Sequence, residues 1–211
     1  MTETIKEEHM SRGMKIGCLV VVIGLVIVIL GGYAWIKGMY NGFVGLDESV
    51  NQTWAQVQNV YQRRFDLIPN LVETVKGYAA HERQTLEAVT EARSRVGGVT
   101  QLRAEDLTPE NLAKFQQAQA GLSGALQRLM VVVERYPDLK ANENFIRLQD
   151  ELAGTENRIA VERKRFNEAV QAYNRTIRLF PQQVFAGMFG FMPKAYFEAD
   201  QQAQQAPQVQ F

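Results

Sequence analysis

A chain of 211 residues is long enough for one modest domain with appendages. Its 23 Lys+Arg balance 23 Asp+Glu, so no net positive field is available to hold nucleic acid. The single cysteine, Cys18, excludes an intramolecular disulfide, so any domain must rest on an apolar core.

The first element in chain order is hydrophobic. Residues 16–36 read IGCLVVVIGLVIVILGGYAWI, with no charge, between Lys15 and Lys37. About 20 apolar residues at 1.5 Å each span a hydrocarbon core of ~30 Å. No polar face interrupts the run, which argues against a soluble core helix. It is too long for a secretory signal, and it ends in Tyr33-Ala34-Trp35 rather than a small-x-small cleavage site. A lipoprotein cysteine would follow the run, whereas Cys18 stands at its start. The reading is an uncleaved signal anchor. Lys6, Arg12 and Lys15 lie before it, which predicts that residues 1–15 are cytoplasmic and the rest is outside. Gly17, Gly24, Gly31, Gly38 and Gly45 recur every seven residues. Glycine is common in membrane helices, but this spacing also makes one stripe of close approach for self-association.

A domain over 43–181 follows. Phe43, Leu46, Val50, Trp54, Val57, Tyr61, Phe65 and Ile68 step by three or four, the period of a buried helix face. Pro69 interrupts it, and Asp66 is expected to cap a new helix with Pro69 in its first turn. The face resumes through Leu71, Val75, Tyr78, Leu86 and Val89, and stops at Gly97-Gly98. Gly97 to Leu107 reads as a loop. Thr108-Pro109-Glu110 opens the next helix, with Leu112, Phe115, Leu122, Leu126, Leu129, Val133 and Tyr136 on its apolar face. Pro137-Asp138 is a tight connection. The last helix is predicted over Leu139–Phe180, roughly 60 Å long, with a heptad seam that includes Phe145, Leu152, Thr155, Ile159, Phe166, Tyr173, Ile177 and Phe180. Pro181 ends it. Short links force neighbouring helices antiparallel. The expected fold is all-α: a transmembrane helix followed by an antiparallel up-and-down four-helix bundle.

Residues 182–211 form a tail. Val184, Phe185, Met188, Phe189, Phe191 and Met192 make it apolar, and from Asp200 it is Gln/Ala-rich and expected to be flexible or recruited by a partner. Val209-Gln210-Phe211 fits either disorder or addition to a partner's sheet edge.

Catalytic patterns are lacking. His9 and His81 are the only histidines, too few for a zinc site beside the single cysteine. Tyr78 stands three before His81, so not one Glu-x-x-His pair of a di-iron bundle is present. Neither a phosphate loop nor a nucleophile elbow occurs. No cofactor is implied, and the reading is of a protein that is not an enzyme. The densest polar segment surrounds the proline: Arg63, Arg64, Asp66, Pro69, Asn70, Glu73 and Lys76. It is read as a hydrogen-bonded cluster that either satisfies backbone groups freed by Pro69 or binds a partner or lipid phosphate.

The stretches LDESVNQTWAQVQNVYQRRFDLIPNLVETVKGYAAHERQTLEAV, LMVVVERYPDLKANENFIRLQDELAGTENRIAVERKRFNEAVQAYN and FPQQVFAGMFGFMPKAYFEA, with a terminal Val-x-Phe, resemble the LemA family of bacterial proteins. With the anchor they cover nearly the whole chain. The resemblance implies a bacterial source, one N-terminal membrane helix and an antiparallel four-helix bundle, without an activity or catalytic residues. Two roles follow as expectations: a membrane-anchored scaffold that self-assembles and binds lipid and protein partners at the inner membrane, or an accessory subunit of a membrane protease or quality-control complex.

Overall fold

A computed structural model describes residues 2–99 and 102–198, with side chains from residue 17 onward. The described residues are helical and contain no strand. Helix α1 covers Thr2–Tyr78, α2 Arg83–Gly97, α3 Pro109–Val133, α4 Pro137–Lys140, α5 Glu143–Arg178 and α6 Gln182–Phe189. A short 3-10 turn, Ala104–Asp106, precedes α3. The expectations for the Gln/Ala-rich end and for Val209-Gln210-Phe211 lie outside the described residues.

Helix α1 is unbroken over 77 residues. Through the apolar run its large side chains, from Leu19 to Tyr33, are exposed all round. It is long and apolar enough to cross a membrane. From Phe43 onward one face is buried: Phe43, Val50, Trp54, Val57, Tyr61 and Ile68 have almost no exposure. A helix closes its own backbone hydrogen bonds, so one backbone can carry both an exposed apolar run and a buried face.

The expected break at Pro69 is corrected: α1 runs through it, and Asp66 caps nothing. Proline lacks the N–H that would bond the carbonyl four residues back, that of Phe65. Arg93 of α2 replaces it: its Nε donates to the Phe65 carbonyl at 3.3 Å, and its guanidinium lies 3.8 Å from the centre of the Phe65 ring. Pro69 itself is exposed, so its ring displaces no core atoms.

The helix ends instead at Tyr78, inside a face expected to be continuous to Gly97. The Ala79–Glu82 turn closes with Glu82 N–H on the Ala79 carbonyl at 3.0 Å. Glu82 then accepts from Arg135 at 3.0 Å and from the Tyr136 hydroxyl at 3.2 Å, which ties the start of α2 to the end of α3. The expected last helix is also shorter. It begins at Glu143, where the Asn142 side chain accepts from Phe145 N–H at 3.1 Å, and it ends at Arg178. Its 36 residues span about 54 Å. Phe180, placed on its seam by the heptad count, is 85% exposed because the helix stops before it. The Thr108 cap on α3 is as expected, accepting from Asn111 N–H at 3.2 Å.

Helix α5 packs chiefly along α1, and α3 along α2. Partners run in opposite order: Trp54 of α1 meets Phe166, Arg64 meets Glu156, and Tyr78 meets Asn142. The loop before α3 is pinned where Trp54 Nε1 and Gln58 Nε2 both donate to the Leu102 carbonyl, at 3.0 and 2.9 Å.

The core has two parts along this length. One, next to the apolar run, holds Phe43, Trp54, Tyr61, Phe115, Phe166 and Tyr173. The far one holds Ile68, Leu71, Leu122, Leu129, Leu139 and Phe145. Between them α1 contributes Arg64, α3 Gln119 and α5 Thr155, three of the four buried polar side chains among the described residues.

If Arg93 replaces the bond that Pro69 cannot make, Arg93→Ala should cost about 1–2 kcal/mol, a charge-assisted hydrogen bond and a cation–π contact. In a Pro69→Ala background the N–H of residue 69 serves Phe65, so the same change should cost less. A double-mutant cycle by thermal denaturation in detergent measures this coupling, and additivity would refute it.

Candidate functional site

The polar layer centres on Arg64, which is 2% exposed. Its Nη1 donates to Glu156 Oε1 at 2.7 Å and to Ser123 Oγ at 3.0 Å, and its Nη2 donates to Gln119 Oε1. The guanidinium also lies 5.1 Å from the centre of the Tyr61 ring. Burial pushes the Tyr61 hydroxyl above its usual pKa, against the opposing field of Arg163 and Arg64. An open groove of about 900 Å³ runs between α3 and α5 above this layer, bordered by Tyr61, Arg64, Gln119, Glu156 and Arg163. Among the described residues, the buried Arg64 Nε and Gln119 Nε2 have no hydrogen-bond partner. Among the described residues no three His, Cys, Asp or Glu side chains gather as a metal site would require.

The sequence cluster around Pro69 is divided by the helix period. Arg64 faces inward, while Arg63, Asp66, Pro69, Asn70, Glu73 and Lys76 are exposed. Arg63 lies 3.9 Å from Glu151, Asp66 accepts from Gln62 at 2.7 Å, and Glu73 lies 3.7 Å from Lys76. The backbone carbonyl freed by Pro69 is served by Arg93, outside that cluster. Gly17, Gly24, Gly31, Gly38 and Gly45 all lie on α1, and a methyl added at any of them would meet nothing within 4 Å.

The segment after α6 was not foreseen as part of the core. Gly190, at φ +80°, takes the left-handed conformation that ends α6, and Phe191 N–H then bonds back to the Ala186 carbonyl at 2.9 Å. That turn sends residues 191–198 back along α5 as an extended strap. Asn174 donates to the Lys194 carbonyl at 2.8 Å and accepts from Lys194 N–H at 2.9 Å. Asn167 does the same for Phe197, at 2.9 and 2.8 Å. Phe197 fills a box of Trp54, Phe115 and Phe166, with Arg163 over its ring. The Tyr173 hydroxyl donates to the Met192 carbonyl at 3.0 Å, and Lys194 pairs with Asp47 at 2.7 Å. The signal in the sequence was the pair Asn167 and Asn174, one heptad apart beside the apolar seam.

An exposed apolar helix continuous with a helical domain defines a membrane-associated helical protein. The LemA family model matches residues 53–211, and the chain belongs to that family. It is similar to magnetosome protein MamQ 2 of Paramagnetospirillum magneticum, 28% identical over 82% of this chain and 71% of that protein. It is also similar to magnetosome protein MamQ of Magnetospirillum gryphiswaldense, 27% identical over 75% of this chain and 64% of the relative. Protein LemA of Metamycoplasma hominis is 21% identical over 78% of this chain and 71% of its own length.

Two outcomes test the site. The ion pair is buried on one side only, Arg64 being 2% and Glu156 43% exposed, and a stranded buried charge is costlier than one that water can reach. Glu156→Ala should therefore cost about 3 kcal/mol, and Arg64→Met less, because the half-exposed Glu156 rehydrates and only Gln119 is left without its donor. Denaturant titration of both variants measures the order, and the reverse order would show that Arg64 is hydrated from the groove. The second outcome concerns alkaline pH. Burial first, then the charge of Asp47, push the Tyr173 hydroxyl from 10.0 up to about 12. Between these values the unfolded chain loses a proton that the folded chain keeps, so stability falls as pH rises through this window. Tyr173→Phe should flatten that decline in melting temperature, with no change in slope near neutrality.

Proposed function

We propose that this protein is a membrane-anchored scaffold that self-assembles through its anchor and presents its helical domain to partners. The observation that carries this reading is the continuity of α1 from the exposed apolar run into the core. An anchor joined by an uninterrupted helix transmits any packing between anchors to the domains they carry. Residues 43–78 with α2, α3 and α5 then form an antiparallel up-and-down four-helix bundle, a reading supported by the opposite order of partners along α1 and α5. The bias of Lys6, Arg12 and Lys15 supports a cytoplasmic N-terminus in the bacterial inner membrane, with the bundle outside. The magnetosome proteins among its relatives support a membrane-associated role. An array of such rods would organise or deform the bilayer without catalysis.

In lipid, apolar side chains gain nothing by leaving the acyl chains, so close backbone packing must drive association. The stripe of Gly17, Gly24 and Gly31 permits that approach, and among the described residues nothing covers these glycines. The test is the mass of the detergent-solubilised particle by light scattering. The expected parent is a homo-oligomer. Gly24→Leu should shift it toward smaller species, and Gly32→Leu, off the stripe, should not. A parent monomer that co-purifies with a membrane enzyme would overturn the scaffold in favour of an accessory subunit.

A further inference from the structure

From Phe180 to Pro193 the chain contains no Asp, Glu, Lys or Arg. One side of this segment packs on α1. The Phe185 ring meets Trp35 edge-on at 5.6 Å, the Phe189 ring meets Tyr40 at 5.1 Å, and Phe191 meets Tyr40 and Phe43. The other side is bare: Phe180, Met188 and Met192 are each more than two-thirds exposed, and Val184 is over half exposed. Four large apolar side chains on one short segment are costly to leave in water, at roughly 25 cal/mol for each Å².

The position of α6 says what covers them. Trp35 stands in the last turn of the apolar run, the depth at which the hydrocarbon gives way to headgroups. Tyr40 lies five residues further along the same helix, about 7.5 Å along its axis. Because Phe185 touches Trp35 and Phe189 touches Tyr40, α6 lies within that interfacial zone whenever residues 17–36 cross the membrane. Cations flank the uncharged stretch: Arg175 and Arg178 close α5, and Lys37 follows the apolar run, all three exposed. An apolar face rimmed by Arg and Lys suits acyl chains below and phosphates beside them.

We infer that α6 and its flanks, Phe180 to Met192, form a second membrane contact that inserts into the phospholipid leaflet on the bundle's side. The inference rests on the membrane crossing by residues 17–36. With α6 packed on α1 and bonded through the strap to α5, insertion fixes the tilt and height of the bundle over the bilayer, which a lone anchor leaves free.

The test uses the full chain in vesicles of phosphatidylethanolamine and phosphatidylglycerol. An environment-sensitive fluorophore is placed on native Cys18, or on Met188→Cys or Val131→Cys in a Cys18→Ser background. Residues 188 and 131 are both highly exposed, so cysteine there leaves the core intact. The expected result is blue-shifted emission at 188, with most of its intensity lost to shallow doxyl-labelled lipid, as at Cys18. At 131, at the far end of α3, emission should be water-like and unaffected. A probe at 188 that behaves as at 131, while Cys18 is quenched, overturns the inference and leaves the anchor standing. Shielding at 188 from aqueous iodide without quenching by doxyl lipid overturns it in favour of a second copy of the chain. If the Cys18 probe is not quenched, the membrane crossing and this inference fall together.

Discussion

A buried guanidinium sets the register of this domain. Arg64 sits between two apolar cores and is bonded by α3 through Gln119 and Ser123 and by α5 through Glu156. If α5 slipped by one turn, about 5.4 Å, the Glu156 carboxylate would leave and Leu152 or Ala160 would face the charge. Apolar cores alone tolerate such slips, since leucine against leucine packs in more than one register. The layer therefore selects one alignment of α5 on α1 while adding little net stability. The aromatic box requires that alignment, because it joins Trp54 of α1 to Phe166 of α5.

Helix α1 joins this register to the exposed apolar run. Its two halves obey opposite side-chain rules: apolar all round in one, apolar on a single stripe in the other. Nothing in the backbone marks the change between Ile36 and Phe43. Proline at 69 would normally bend or end such a rod. Here the unbonded carbonyl receives a donor from a neighbouring helix, so the rod passes through the domain and ends only at Tyr78. Helices α2 and α5 are held against it, α3 reaches it through Phe115 and Gln119, and α6 is held against residues 35–43.

The all-helical class, the apolar anchor and most buried positions were legible in the sequence, because a repeat of three and four residues reports burial directly. Phe43 to Ile68 and Leu112 to Val133 illustrate this. The pattern failed where a bond between distant residues decided the outcome. Pro69 carries a local signal for a break, and the donor that cancels it lies at position 93. The turn at 79–82 has no proline and only Gly77 before it. Its trace is a missed beat, since the period after Val75 wants an apolar residue near 82 and Glu stands there. In the polar cluster, composition named seven residues, but helical phase turns only Arg64 inward, and its partners lie 55 to 92 positions away. The strap was illegible for another reason: an extended segment held by side-chain amides has no period of its own.

That strap follows a coincidence of lengths. Asn167 and Asn174 are two helical turns apart, about 10.5 Å, and the residues they clasp, Lys194 and Phe197, are three extended steps apart, about 10 Å. The two scales act as a vernier, in which marks coincide at intervals of three strap residues against seven helical ones. Both amides bind backbone, so they are blind to the side chains of the residues they hold. Any two strap residues three apart have that spacing, so length alone does not decide which pair is clasped. What decides it is Phe197, whose ring has one box to enter. The strap is thus held through its backbone and located by its side chains: Phe197 in its box, Lys194 on Asp47 and Phe191 against Phe43.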